Sequence, residues 1–64
     1  MTRLKRELED RGILQRDFAE QIGVTEVSMS RYCNGTRIPR FSIAVKISDA
    51  LNMDIKVLFA EALR

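Results

Sequence analysis

Only three residues, Gly23-Val24-Thr25, separate two stretches whose apolar residues repeat at helical spacing. Upstream the stripe is Phe18, Ala19 and Ile22; downstream it is Met29 and Tyr32. So short a joint forces the two helices into a sharp corner rather than a long hairpin. Gly23 suits the left-handed conformation that ends a helix, and Thr25 offers a hydroxyl to cap the next one. The expected spans are Gln15 to Ile22 and Glu26 to Asn34, with Gly35 ending the second. Val27 departs from the downstream stripe, because it lies on the side of the helix facing away from Met29. A short helix that turns Val27, Glu26 and Arg31 outward exposes an apolar group to water, and that cost asks for a use.

The rest of the chain reads as three more short helices. Thr2 can cap the first, with Leu4 and Leu8 one turn apart on its buried face. Gly12 is placed to stop it, and Ile13 should then fold back on Leu8. Pro39 disfavours helical geometry at Ile38, so the stretch from Thr36 to Phe41 reads as a loop. The fourth helix is expected from about Phe41 to Leu51, burying Ile43 or Ala44, Ile47 and Leu51. Asn52 tolerates the left-handed stop that follows. Asp54 caps a fifth helix whose Ile55, Leu58 and Phe59 face inward. No stretch alternates as a strand would, and there is no repeat, linker or low-complexity run. The expected architecture is all-α, five short helices in one domain over residues 1–64.

With 64 residues, such a domain buries only about 60% of the surface its unfolded chain exposes. No apolar run approaches the roughly 20 residues that a bilayer crossing needs. The N-terminus carries charges but no apolar core of a signal peptide, so a cytoplasmic protein is expected. Cys33 is the only cysteine and histidine is absent. An internal disulfide, a zinc site and a Cys–His nucleophile are therefore unavailable. No catalytic residue, cofactor, metal or small-molecule ligand is expected. The net charge of +2 hides an asymmetry. Residues 1–26 and 49–64 each sum to −1, whereas 27–48 hold Arg31, Arg37, Arg40 and Lys46 and no acid. Charge runs are often only solvated faces. Cations without neighbouring acids point instead to a polyanionic partner.

The residues around the corner resemble the Cro and lambdoid-repressor-like, or XRE, helix-turn-helix family. Gln15 matches its Gln at the start of helix two, Ala19 its small residue at the helix crossing, and Gly23 the turn glycine. Phe18, Ile22, Val24, Met29 and Tyr32 match its apolar positions, Asn34-Gly35 its closing pair, and Pro39 the proline that follows. Ile47-Ser-Asp-Ala-Leu51-Asn and Leu58-Phe59 look like its last two helices, so the likeness runs from about Leu4 to Phe59. It implies a DNA-binding domain that reads the major groove with the helix 26–34. In that family the positions of Glu26, Val27 and Arg31 commonly read bases, and Ser30 shares their face. Glu26 can accept from a cytosine amino group, Val27 can meet a thymine methyl, and Arg31 can bind guanine through two hydrogen bonds. Two plainer roles stay open: a phosphate contact for Arg31, and stabilisation of the helix start for Glu26. Gln15, Thr25, Ser28, Asn34, Arg37 and Arg40 are the expected contacts to the DNA backbone. Lys46 reads as solvated, and the register of Met29 and Tyr32 places both in the core.

Three positions depart from the family pattern. Leu14 and Arg40 stand where a Ser or Thr often caps helices two and four, a loss of about 1 kcal/mol each. Leu8 and Cys33 stand where many phage members carry an Arg–Glu ion pair. Exchanging both partners for apolar groups can be neutral, whereas exchanging one strands a charge. Cys33 therefore reads as packing against Leu8, with a redox role as the lesser alternative. The resulting expectation is a sequence-specific regulator of double-stranded DNA, a repressor of phage or mobile-element type, working as a homodimer by operator occupancy. Val57, Leu63 and Phe59 cannot all face a five-helix core, and whichever stay outside form the surplus apolar surface for that dimer. The chain's stop at Arg64 fits a minimal regulator or a piece of something longer. The rival reading is a protein-interaction module on the same fold, antitoxin-like or anti-repressor. Loss of the outer cations would favour it, but Arg31, Arg37 and Arg40 are present.

Overall fold

The computed structural model describes residues 2–60, and within them the chain is all-helical. The helices are α1 (Arg3–Asp10), α2 (Gln15–Ile22), α3 (Glu26–Asn34), α4 (Phe41–Leu51) and α5 (Ile55–Leu58). α1, α3 and α5 each begin at a side-chain cap. Thr2 Oγ1 accepts from the Lys5 N–H at 3.1 Å, capping α1. The same hydroxyl donates to the Cys33 carbonyl at 2.6 Å. One side chain thus satisfies a free donor at the start of α1 and a free acceptor at the end of α3.

The stop of α1 is a paired one. Gly12 N–H bonds the Glu9 carbonyl at 3.1 Å and Ile13 N–H bonds the Leu8 carbonyl at 2.8 Å. Ile13 packs against the core, the apolar contact that accompanies such a stop. Gly23 and Gly35 end α2 and α3 at φ of 92° and 77°. Asn52 ends α4 at φ 55°, the one non-glycine residue with positive φ among those described. Its short side chain tolerates this region.

One hydrophobic core joins all five helices. α1 gives Leu4 and Leu8, α2 gives Phe18, Ala19 and Ile22, and α3 gives Met29, Tyr32 and Cys33. α4 closes it with Ala44, Ile47 and Leu51. Of the two residues expected at the first buried position of α4, Ala44 is buried and Ile43 only half-buried. Ser48 is buried on the same helix, and its hydroxyl has no partner among the described residues. α5 is shorter than its apolar pattern suggests. It ends at Leu58, and Phe59 sits in the following turn yet remains in the core at 8% exposure. Phe59 is therefore not surplus apolar surface, while Val57, 47% exposed, is. Leu63 lies outside the described residues.

Candidate nucleic-acid interface

α2 and α3 meet at the corner made by Gly23 and Val24, whose N–H groups both bond the Ala19 carbonyl, at 2.9 and 3.0 Å. Thr25 then restarts the chain. Its Oγ1 accepts from the Ser28 N–H at 3.1 Å and donates to Ser28 Oγ at 3.0 Å. With Met29, Tyr32 and Cys33 turned into the core, α3 presents its opposite side outward. Val27 is 60% exposed there, uncovered by any of the described residues.

Gln15, Glu26, Val27, Ser30 and Arg31 line one open depression of about 380 Å³. The four residues expected to read bases thus share a surface, together with one expected backbone contact. Leu14, Gln15 and Arg16 continue that surface past Glu26 toward the start of α2. Leu14 is 56% exposed and caps nothing. Its place beside Glu26 is not deducible from its sequence position, where it registers only as a missing cap.

The other expected backbone contacts do not line this depression. Thr25 and Ser28 already satisfy one another at the start of α3, leaving the Ser28 hydroxyl proton free to donate outward. Asn34 is exposed at the last residue of α3. Arg37 is set by the end of that helix: the Thr36 and Arg37 N–H groups both bond the Arg31 carbonyl, at 3.1 and 3.4 Å. It borders a separate cleft with Tyr32, Gly35, Ile38 and Pro39. Arg40 is exposed at the start of α4. The first turns of α2 and α4 lack a side-chain cap, whereas Thr2, Thr25 and Asp54 cap the other three. Unfilled N–H groups at a helix start attract an anion through both hydrogen bonding and the helix dipole.

The electrostatics divide along the same line. On α1, Glu7 lies 3.3 Å from both Arg3 Nε and Arg11 Nε. Among the described residues, Glu26, Arg31, Arg37 and Arg40 take part in no ion pair. None of the cations of 27–48 is neutralised by an ion pair among the described residues. Tyr32 is buried and cannot stack on a base from this position. Cys33 is wholly buried. Burial pushes its thiol up to about 11, against a smaller pull down from Lys5 and a push up from Glu9. A protonated, enclosed thiol is a poor redox sensor.

One feature has no counterpart in the sequence reading. Ile38 and Phe41 are 65% and 76% exposed. With Pro39, Ala44, Ile55 and Phe59 they line an apolar groove of about 350 Å³, with Lys56 on its wall. Among the described residues no cluster of acidic or sulfur ligands could hold a metal ion. No helix among them is long and apolar enough to cross a membrane.

No curated protein and no solved structure matches the chain. A family model described as helix-turn-helix matches residues 4–58, which spans the five helices except Arg3 and includes every residue lining the depression on α3. The chain accordingly belongs to the XRE and lambda-repressor-like helix-turn-helix family of DNA-binding regulators.

Proposed function

We propose that this regulator is a cytoplasmic repressor that acts by occupying an operator, with α3 in the major groove. The observation that carries this is the shared depression of Gln15, Glu26, Val27, Ser30 and Arg31, in which neither charged side chain has an ion-pair partner among the described residues. Glu26 accepts from a cytosine amino group, Val27 covers a pyrimidine methyl, and Arg31 pairs with guanine through two hydrogen bonds. Ser30 donates or accepts beside them. The uncapped starts of α2 and α4 take phosphates, helped by Gln15 and Arg40. Thr25, Ser28, Asn34 and Arg37 follow the same backbone. The protein does no chemistry, and bound protein excludes the transcription machinery. One recognition helix reads only a few base pairs, so two copies bind paired half-sites. The repressor role and a phage or mobile-element setting follow from the family likeness rather than from any side chain.

Reading and positioning separate by mutation. Arg31→Ala should cost about 1–3 kcal/mol on the preferred site and relax preference at one base pair. Arg37→Ala should weaken all sequences alike and lower the salt slope by about one unit. Selection from a random duplex library and salt titration of both variants decide the matter. An unchanged selected sequence for Arg31→Ala, with an altered one for Arg37→Ala, would put the reading surface on the wrong element.

A further inference from the structure

Glu26 is the only carboxylate in the depression, and it has no hydrogen bond or ion pair among the described residues. A bare carboxylate brought against a polyanion is repelled unless a strong donor meets it. In the major groove the donors on base edges are the amino groups of cytosine and adenine. Adenine's amino group is flanked by the N7 acceptor, which repels the second carboxylate oxygen. Cytosine's is flanked only by the C5–H. The next residue, Val27, is 60% exposed and lines the same depression. A hydrogen-bond acceptor for the C4 amino group thus stands beside an apolar surface at the level of C5.

Resting on α3 as the base-reading helix, we propose that the base pair under Glu26 is read as 5-methylcytosine in preference to cytosine. The carboxylate accepts from the amino group, and the valine methyls cover the 5-methyl group that cytosine lacks. Thymine carries the methyl but turns a carbonyl oxygen toward Glu26, so it is rejected at that pair.

The test uses the full chain and the duplex selected from an unmodified random library. Each cytosine is replaced singly by 5-methylcytosine, and affinity is measured at one salt concentration. At one cytosine per half-site, methylation should tighten binding about fourfold, the worth of one buried methyl group. Val27→Ala should abolish that gain, and Glu26→Ala should erase the preference for cytosine over thymine at the same pair. Because both side chains are exposed, neither variant disturbs the core. The proposal is overturned if methylation is neutral or harmful at every cytosine of a tightly bound site. It is equally overturned if the gain survives in Val27→Ala, or if Val27 proves to cover a thymine of a neighbouring pair, seen as a loss on replacing that thymine by uracil. Absence of any preferred sequence would sink the base-reading assignment itself, and this proposal with it.

Discussion

Cys33 is a buried thiol whose ionisation the fold opposes. Its ordinary value of 9.0 is raised to about 11. An acid with a raised folded value keeps its proton in the native state after the unfolded chain has lost it. The unfolded state then binds fewer protons, so stability falls as pH rises through the window from about 9 to about 11. Below that window the thiol is neutral in both states and contributes no slope. The loss should reach about 2 kcal/mol at its upper end. Urea unfolding of the protein and of Cys33→Ala across that range checks this, since the two differ only in that side chain. Identical slopes would show that the thiol ionises as freely folded as unfolded. Leu8, 1% exposed, lies in the same core cluster. The charge pair that the family often places at these two positions has thus been replaced on both sides, which leaves no stranded charge.

Among the elements, α3 ends at a glycine with a close neighbour. Gly35 has φ 77°, and a Cβ there would meet Thr2 Cγ2 at 3.2 Å. Gly12 has φ 68° but open space around its missing Cβ. Gly12→Ala should therefore cost backbone strain alone, about 1 kcal/mol. Gly35→Ala adds crowding against Thr2, the residue that bonds the Cys33 carbonyl, and should cost about 2–3 kcal/mol. Chemical denaturation of both variants compares them, and equal losses would mean Thr2 gives way freely. These stops explain why the helix spans were legible in the sequence. Gly12, Gly23, Gly35 and Asn52 are residues that backbone sterics select, and the stripes between them are periodic. The tie from Thr2 to Cys33 was not legible, because 31 residues separate the partners. Nor was the burial of Ser48, a small polar residue whose type says little about which way it faces. The outward side of α3 was legible because Met29 and Tyr32 fix its register. The side chains of Ile38 and Phe41 were not, since the loop around Pro39 has no period to read.

At the scale of the molecule, the apolar groove bears on how two copies stand on DNA. Half-sites one helical turn apart lie about 34 Å from centre to centre. The Cα extents are 28 × 21 × 21 Å, and side chains add several ångströms on every side, so adjacent copies are within reach of each other. Ile38 and Phe41 are exposed, and the groove they line shares no residue with the depression on α3. A two-fold contact would place this patch against its own copy, as an isologous interface requires. The expected outcome is a dimer that is weak in solution and cooperative on a palindrome, with Phe41 at its centre in place of the buried Phe59. Replacing both Ile38 and Phe41 by Ser should leave the core and half-site affinity intact, because both side chains are mostly exposed. Cooperativity on the palindrome should fall by about 1–3 kcal/mol. Sedimentation with and without DNA, and titration of half-site against full-site duplexes, measure both quantities. If the double variant binds the palindrome as cooperatively as the parent, the copies meet through another face, and Val57 on α5 is the next residue to change.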